Sequence, residues 1–572
     1  MIINGGKKNL LWERWLTHSK DFPHKDAIVH WSATGEPFRW SFKSLLDASV
    51  YIAVYLRENG IKEGDVCAII IRHNKFFYPL YMAVCAIGAI PSVLAYPNTR
   101  LHPEKFRSSL KGMSQKSGLD WIFTERELED AIAPLVFHEK STIRGLHFPL
   151  EHAEKYSAHN CDHDALFQAI EQIRLSFSDT MPLLLQHSSG TTGLQKGVVL
   201  SNKAIGEHVD NYCSSLKATQ TDRVVSWLPL YHDMGLIAAF HLPLAFGMTS
   251  IQIDPFEWVL YPAILLEVID KEKPTLSWLP NFSFNMMADK IHEDDIDTFD
   301  FSSIRMLINC SEPVRADSHE MFYKRFAKYG LSNDALTACY AMAETTYAAT
   351  QSTPGARAKE LTVDRESLSA GIVKMPLINR DSRVCVSSGL PINGCEIKII
   401  DEGDKELGDD FVGEILIKSN SMFDGYRNSP EKTAEVLKGD WYYSGDFGFR
   451  HDNEYYVIGR KKDIIIVAGK NIYPEDIEDA VGKIEGVSPG RVVAFGIFKE
   501  EIGTEQICVI AETSLDESAR KILRTKIIEA GMELSVTITQ IHLVEPRWLI
   551  KSSSGKPSRK ANKERILIGG DK

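Results

Sequence analysis

Short runs of apolar and β-branched residues alternate along most of the chain with stretches in which apolar residues recur at the helical period. Residues 65–71 form one such apolar run and predict a buried strand, whereas residues 261–271 show the spacing of an amphipathic helix. This alternation is typical of parallel strands joined by crossover helices. We therefore predict an α/β fold with parallel subdomains for the larger, N-terminal part of the chain.

The alternation stops over residues 395–417, where two apolar runs flank a Gly/Asp turn and predict a small β unit. The charged segment 459–463 then separates two further apolar runs. A charged stretch in this position is typical of an exposed boundary between domains. We predict an N-terminal domain over residues 1–458, a hinge over 459–463 and a smaller C-terminal domain over 464–572.

One apolar stretch, residues 76–96, approaches the length of a membrane span. Pro79, Gly88 and Pro91 interrupt it, which favours a buried helix, a turn at Gly88 and a buried strand. Charged residues also break the apolar segment near the N-terminus, so no export signal is expected. The sequence thus predicts neither an integral membrane segment nor secretion.

Composition and charge exclude several classes of function. A chain of 572 residues with 44% hydrophobic and 25% charged residues is typical of an enzyme-sized globular protein with two or more folding units. The formal net charge of -12 repels nucleic acid, so no nucleic-acid partner is expected. Nine cysteines without a C-x-x-C pair favour reduced thiols, as expected in the cytoplasm. The basic run 551–565 predicts a solvated charged stretch.

A loop of small residues after the apolar run 184–187 is the strongest chemical signal. Its hydroxyl, glycine and lysine residues are, in order, Ser188, Ser189, Gly190, Thr191, Thr192, Gly193 and Lys196. Backbone N–H groups of such a loop can approach an oxyanion closely, and the hydroxyls can donate hydrogen bonds to it. No glycine directly precedes Lys196, so the Walker spacing is not met. The loop predicts a phosphate-binding site outside the P-loop NTPases.

The segment 184–199 resembles the signature of the acyl-adenylate-forming, or AMP-binding, superfamily, with Gln195 where that family usually has proline. Other segments match in the family's order from about residue 25 onward, and they are most similar to those of fatty acyl-AMP ligases. The resemblance implies ATP and Mg²⁺ as cofactors and a fatty acid as substrate. It also implies a large α/β body with a small β unit, and a mobile α+β C-terminal domain that rotates about a hinge at Lys462.

Three segments resemble the substrate and nucleotide sites of that family. The first, 227–236, contains His232, which the resemblance places near the substrate carboxylate; by itself, a lone histidine among aromatic residues is more often a packed core residue. The other two, 309–313 and 339–345, resemble the adenine and metal segments, and Glu344 suits Mg²⁺ because this hard ion takes carboxylate oxygen. The residues implied for the adenine site are Ser311, Glu312, Tyr340, Ala341 and Met342.

Asp446 and Arg460 resemble the ribose-binding residues of the family, and a carboxylate can accept hydrogen bonds from both ribose hydroxyls. Lys556, in the segment 552–559, resembles the family's catalytic lysine. Attack of a carboxylate on the α-phosphate of ATP brings together two anions, whose repulsion is about 4 kcal/mol at ~4 Å and an effective dielectric near 20. A positioned ammonium group offsets this repulsion. We therefore predict Lys556 and His232 as catalytic residues.

Residues 352–385 resemble an insertion of fatty acyl-AMP ligases that restrains domain motion in that family. This implies transfer of the acyl group to the phosphopantetheine thiol of an acyl carrier protein. The acid is expected to be a medium- or long-chain fatty acid, and its exact chain length stays open. If the segment is an ordinary surface loop, a fatty acyl-CoA ligase is the alternative. Departures from the family pattern at Gln195, Ala341 and Cys310 also leave open a non-catalytic relative that binds acyl-adenylate.

Overall fold

The computed structural model describes residues 10–97, 103–156, 162–188, 195–296, 298–378, 381–468, 470–501, 503–551 and 556–569. Local chemistry explains several helix ends, as where Ser41 forms a reciprocal capping box with Ser44 and where Gly247, with φ 87°, ends a helix. The helices run over Leu11–Asp21, Phe42–Glu58, Phe77–Ala86, Pro103–Ser117, Glu129–Ile132, Pro149–Ala153, His163–Arg174, Asn202–Ser215, Met234–His241, Leu242–Phe246, Pro255–Leu260, Ala263–Glu272, Asn281–Lys290, Ala316–Phe326, Arg365–Ser369, Pro430–Val436, Pro474–Gly482, Glu517–Glu533 and Arg559–Gly569.

The largest sheet has nine strands within the described residues. Its six central strands are parallel and largely buried, which explains their nearly continuous apolar sequences. Three antiparallel strands complete its edges. In spatial order the strands are Leu390–Pro391, Ala348–Gln351, Leu336–Ala341, Met306–Asn309, Leu276–Leu279, Arg223–Ser226, Thr249–Ile253, Asp26–Trp31 and Phe38–Ser41.

A second, fully parallel sheet lies in the first part of the chain and consists of Ile90–Val93, Val66–Ile70, Trp121–Thr124 and Gly145–His147. The prediction for residues 76–96 is confirmed, because the helix Phe77–Ala86 is followed by Gly88 at φ 73° and the buried strand Ile90–Val93. Over the described ranges, no helix combines the length and the apolar character needed to cross a membrane.

The predicted β unit over residues 395–417 is also confirmed, as part of an antiparallel sheet. The strands of this sheet are Cys395–Ile400, Gly413–Ser419, Trp441–His451, Leu437–Lys438 and Glu454–Arg460. A smaller antiparallel sheet carries the start of the phosphate loop and consists of Gly425–Tyr426, Lys196–Ser201 and Pro182–Ser188.

The C-terminal part of the chain has its own buried apolar clusters, one within residues 465–543 and one within 493–566. Its strands are Ile465–Val467 with Lys470–Ile472, and Val492–Lys499, Thr504–Glu512 and Ile538–Val544. Mixed strands and helices of this kind agree with the predicted α+β class, and the α/β class of the larger part is confirmed. The exact domain boundaries stay a prediction.

The segment that resembles an insertion is folded. Its strands Glu360–Asp364 and Ser382–Val386 form an antiparallel hairpin, with the helix Arg365–Ser369 between them. Leu361, Val363 and other apolar residues of the hairpin share a buried cluster with Tyr473, at the start of the C-terminal part. The hairpin thus packs against the region where the two predicted domains meet.

Candidate active site

Candidate residues from three parallel strands of the large sheet meet beyond the carboxyl ends of those strands. The strands and the candidates at their ends are Arg223–Ser226 with His232, Met306–Asn309 with Ser311 and Glu312, and Leu336–Ala341 with Tyr340. Neighbouring parallel strands end at the same edge of a sheet, and α/β proteins bind ligands in the crevice at that edge. The fold therefore brings together residues that lie far apart in the sequence.

His232 lies two residues before the π-helix Met234–His241, a helix form concentrated at functional sites. Its Nδ1 atom is 2.7 Å from Oδ1 of Asp233, and its side chain is 26% exposed, so it is not a packed core histidine. Gly235 is required in this turn because a Cβ atom there would lie 2.3 Å from the carbonyl oxygen of Pro229. The backbone thus turns sharply and leaves the imidazole at the edge of the sheet.

Lys556 shares the electrostatic environment of this segment, although it comes from the C-terminal part of the chain. Burial lowers the pKa of Lys556 below its ordinary value, while the charges of Glu312 and Asp233 act in the opposite direction. Burial raises the pKa of Asp233, but His232 and the charge of Lys556 outweigh it, so that the pKa of Asp233 lies below its ordinary value. Lys556 thus interacts electrostatically with Asp233 and Glu312, and these three residues, which come from both parts of the chain, are here called the charged centre.

Tyr340, Asp446 and Arg460 form a second connected group. The strand register places Asp446 directly opposite Arg460, and Nε of Arg460 is 3.3 Å from Oδ1 of Asp446. The Tyr340 hydroxyl donates a hydrogen bond of 2.6 Å to Oδ2 of Asp446. Ala341 and Met342 follow on the same strand end and are half-buried, and the N–H of Met342 donates to the carbonyl of Tyr347 at 2.8 Å. Tyr340 and Arg460 together orient both carboxylate oxygens of Asp446.

Ser311 and Glu312 lie in a strained turn at the end of the neighbouring strand. Ser311 has φ 67°, a left-handed conformation that is uncommon for residues other than glycine. Oε2 of Glu312 accepts a hydrogen bond of 3.0 Å from the backbone N–H of Phe282. The Phe282 ring contacts Trp227 and Trp258, which stack with centroids 3.6 Å apart and planes at 3°. These three aromatic residues, here called the aromatic cluster, therefore adjoin the charged centre through Glu312.

The phosphate-loop candidates Ser189, Gly190, Thr191, Thr192 and Gly193 lie outside the described residues. At the base of the loop, Ser188 pairs with Lys196 in the antiparallel register of their strands. Nζ of Lys196 lies 4.3 Å from the ring centroid of Tyr426. The Tyr426 hydroxyl donates a hydrogen bond of 2.7 Å to Oε1 of Glu344. Tyr426 therefore connects the loop lysine to the carboxylate predicted to bind metal.

The surroundings of Glu344 suit a divalent cation that is held jointly with a nucleotide. The Tyr426 hydroxyl donates to Oε1 of the carboxylate, and within the described residues no donor contacts Oε2. Within the described ranges, no group of three or more His, Cys, Asp or Glu residues could hold a metal by itself. Mg²⁺ usually takes one or two carboxylates together with substrate phosphates and water, so the Glu344 carboxylate is a ligand of the type this ion prefers.

Lys462 lies within the short 3₁₀ helix Lys461–Asp463, and this helix begins directly after Arg460. Burial lowers the pKa of Lys462, and the neighbouring charge of Arg460 acts in the same direction. The structure thus places the predicted hinge lysine next to the ribose-side arginine. Its role in domain rotation stays a prediction.

Arg559, three residues after Lys556, is tied to three carboxylates. Its guanidinium lies 2.9 Å from Asp463, 2.8 Å from Glu475 and 2.6 Å from Glu478. The expectation of a solvated charged run was therefore wrong for this residue, because its partners come from a distant part of the sequence. Arg559 fixes the segment that carries Lys556.

The hairpin that includes residues 360–386 contacts the C-terminal part through Asp476. Nη1 of Arg365 and Nη1 of Arg383 lie 3.0 Å and 3.1 Å from Oδ2 of Asp476. Arg315, which precedes the helix Ala316–Phe326, lies 3.5 Å from the other carboxylate oxygen. Three arginines of the larger part thus converge on one carboxylate of the smaller part.

Sequence reasoning did not identify Asp233, Tyr426, Arg559 or Asp476. Asp233 adjoins the His232 segment and was detectable as a carboxylate beside a candidate histidine. The other three act through partners more than 80 residues away, as in the Tyr426 to Glu344 hydrogen bond with a separation of 82 residues. No local pattern reveals such contacts.

A family model and several known proteins match this chain. The family model described as AMP-binding enzyme matches residues 15–427. The medium-chain-fatty-acid (acyl-carrier-protein) ligase JamA of Moorena producens is 31% identical over 413 residues, covering 68% of this chain and 69% of that protein. The 4-hydroxyphenylalkanoate adenylyltransferase of Mycobacterium tuberculosis is 29% identical over 88% of this chain and 82% of its own length. The structure of a fatty acyl-adenylate ligase from L. pneumophila in complex with acyl adenylate and pyrophosphate superposes with a TM-score of 0.72, at 26% identity and coverage of 98% and 96%.

Proposed function

The chain belongs to the AMP-binding enzyme family, and from that premise we propose that it activates a medium- or long-chain fatty acid and transfers it to an acyl carrier protein. It is an ATP-dependent ligase that forms an acyl-adenylate. The finer assignments, namely the acid, the metal, the acceptor and the roles of single residues, are our proposal. The observation that carries it is the contact of Tyr340 and Arg460 with the two carboxylate oxygens of Asp446, beside the edge of the large sheet.

In the first step, an oxygen of the fatty-acid carboxylate attacks the α-phosphorus of ATP, and the bond to the bridging oxygen of pyrophosphate breaks. Lys556 offsets the repulsion between the two anions and stabilises the charge that develops during attack. To His232, which is held beside Asp233, we assign the orientation of the carboxylate. The products are acyl-AMP and pyrophosphate.

The nucleotide is held by the group that follows the strand ends. We assign the adenine to Tyr340, Ala341 and Met342 on one face and to Ser311 and Glu312 on the other. Asp446 accepts hydrogen bonds from the ribose hydroxyls, for which Tyr340 and Arg460 already orient both of its oxygens. The loop that ends at Lys196 binds the β- and γ-phosphates.

Glu344 holds Mg²⁺ together with those phosphates. The ion supplies positive charge that neutralises the departing pyrophosphate. The carboxylate oxygen that Tyr426 does not occupy is the ligand that this chain contributes.

In the second step, the thiol of a phosphopantetheine attacks the acyl carbonyl carbon, a thioester forms, AMP leaves, and the thiol proton passes to solvent or a base. We assign the thiol to an acyl carrier protein because Arg315, Arg365 and Arg383 hold the C-terminal part through Asp476. The name of the relative JamA, a ligase for an acyl carrier protein, supports this assignment. A restrained C-terminal part disfavours the rearrangement that admits free coenzyme A.

The test is a mass-spectrometric assay with MgATP and a series of fatty-acid chain lengths, in which coenzyme A and a phosphopantetheinylated carrier protein are offered in parallel. We expect acyl-AMP and pyrophosphate with medium or long acids, and acyl transfer to the carrier protein alone. Efficient acyl-CoA formation would instead support an acyl-CoA ligase. A lack of pyrophosphate release across the whole series would refute the choice of fatty acids.

A further inference from the structure

Tyr426 is fixed by the backbone next to the strand that begins with Lys196. Gly425 and Tyr426 pair in antiparallel register with Val199 and Val198. On the other side, the N–H of Tyr426 donates to Oγ1 of Thr433 at 2.9 Å. The ring is therefore held in place before any ligand binds.

From this position one side chain contacts two groups of opposite charge. The ammonium of Lys196 lies over the ring, 4.3 Å from its centroid, where a cation is attracted to the face of an aromatic ring. The hydroxyl donates to Glu344 at 2.7 Å, a charge-assisted hydrogen bond.

Across the described ranges, neither Lys196 nor Glu344 has an ion-pair partner within 4.0 Å. A lysine and a glutamate that meet the same aromatic side chain would attract each other if the ring were absent. Their direct pairing would neutralise the cation needed for phosphate and the carboxylate needed for metal. The Tyr426 side chain instead gives each group its own contact, the ring face for Lys196 and the hydroxyl for Glu344.

We propose that Tyr426 is a positioning residue that keeps Lys196 and Glu344 apart and orients the Glu344 carboxylate toward the metal of MgATP. This inference rests on the metal assignment of Glu344 in the proposed function. The hydroxyl acts on the metal side through Glu344, and the ring acts on the phosphate side through Lys196. The two parts of the side chain therefore have separable effects.

Two variants separate them. Tyr426→Phe keeps the ring and removes the hydrogen bond, whereas Tyr426→Leu removes both contacts. The readout is ATP binding without fatty acid, measured by calorimetry with and without Mg²⁺, so that no turnover is needed. For Tyr426→Phe we expect unchanged binding of free ATP and a roughly tenfold smaller gain in affinity on adding Mg²⁺, as for the loss of one charge-assisted hydrogen bond. For Tyr426→Leu we expect weaker binding in both conditions.

Tyr455→Phe is the matched control, because Tyr455 is also buried and donates to a carbonyl, that of Ile397, at 2.8 Å. It should leave both affinities unchanged. The gain in ATP affinity on adding Mg²⁺ is here called the Mg²⁺ effect. The double variant Tyr426→Phe with Glu344→Gln should show the same Mg²⁺ effect as Glu344→Gln alone, because Tyr426 acts through that carboxylate.

The outcomes distinguish the two proposals. If Glu344→Gln leaves the Mg²⁺ effect intact, the metal assignment fails and the Tyr426 inference fails with it. If Glu344→Gln abolishes the effect and Tyr426→Phe does not change it, the Tyr426 inference alone is overturned. Additive losses in the double variant, or an equal loss with and without Mg²⁺ in Tyr426→Phe, would also overturn it.

Discussion

The hydroxyl of Tyr340 donates a hydrogen bond of 2.6 Å to Asp446, a residue 106 positions later in the chain. Burial raises the pKa of Tyr340, and the charge of Asp446 acts in the same direction, so the phenol stays a donor at neutral pH. The contact joins the strand end assigned to adenine with the carboxylate assigned to ribose. One hydrogen bond therefore sets the relative position of two parts of the nucleotide site.

Tyr340→Phe keeps the ring and removes this bond. We expect kcat/KM for ATP to fall about tenfold, the scale of one hydrogen bond to a charged acceptor. Tyr340→Ala removes the ring as well and should lower it further. Pyrophosphate release at varied ATP concentration measures both, and equal losses in the two variants would argue against a role for the ring.

Lys556→Ala should lower the rate of adenylation by about 100-fold or more, the scale for losing a preorganised donor that stabilises the transition state. Lys560→Ala is the control, because Lys560 is exposed and its partner Glu564 lies 3.9 Å away on the same helix. Near-normal adenylation by Lys556→Ala would refute the assignment.

The same lysine predicts the effect of alkaline pH. Because burial lowers the pKa of Lys556 from 10.5, the ammonium loses its proton as pH rises through that lowered value, and adenylation should fall there. Lys556→Arg, which stays charged, should remove this alkaline decline while lowering the maximum rate. The pH profile of pyrophosphate release measures the difference.

Arg365→Ala removes one of the ion pairs on Asp476, in which the Arg365 side chain is 19% exposed. Losing a partly buried pair of roughly 1 kcal/mol shifts a two-state domain equilibrium by about fivefold. We expect acyl-CoA formation to rise by that factor while adenylation is retained. Arg325→Ala is a control of similar exposure, 22%, whose partner Glu293 lies 2.6 Å away in the larger part. No gain of acyl-CoA formation would contradict a restraining role.

Trp258→Ala opens space in the aromatic cluster, where Trp258 is fully buried. We propose that this cluster borders the acyl chain, because Phe282 donates its backbone N–H to Glu312 beside the strand ends assigned to the substrates. We therefore expect the preferred acid to become longer, since each further buried CH₂ contributes about 0.8 kcal/mol, or roughly fourfold in affinity. Trp15→Ala removes another buried indole, outside the cluster, and should lower stability without changing chain-length preference. If Trp258→Ala and Trp15→Ala preferred acids of the same chain length, the aromatic cluster would have no role in recognising the acyl chain.

Burial lowers the pKa of His208 from 6.5 to about 3. Between these values the unfolded chain takes up a proton that the folded protein does not, so stability falls as pH falls below 6.5. The expected slope is about 1.4 kcal/mol per pH unit for this group. Urea unfolding at pH 5 to 7 should show a shallower dependence in His208→Gln and no change in slope for the exposed His24→Gln.

The fold class was predictable because buried parallel strands must be apolar along their whole length, as residues 65–71 are. The candidate residues His232, Tyr340, Asp446 and Lys556 were recognisable because each lies in a local string that resembles a family motif. Their assembly at one sheet edge agrees with that reading, and their individual roles stay predictions.

Tyr426 and Arg559 were not predictable in the same way. Tyr426 reaches Glu344 only because Gly425–Tyr426 pairs with the strand after Lys196, and strand pairing over such separations leaves no periodic signal. Arg559 lies in a basic run whose carboxylate partners are found about 80 to 96 residues earlier. Both contacts follow from tertiary structure, which local patterns do not encode.

The helix Pro474–Gly482 contributes Glu475 and Glu478 to Arg559, and Asp476 to the arginines of the hairpin. A substitution that changes the ion pairs of Asp476 therefore also affects the ion pairs of Arg559, which stabilise the segment that carries Lys556. We therefore expect a substitution in this helix that changes the choice of thiol acceptor to change the rate of acid activation as well. The history of this enzyme should accordingly show paired substitutions on the two sides of the helix, selected together rather than one at a time.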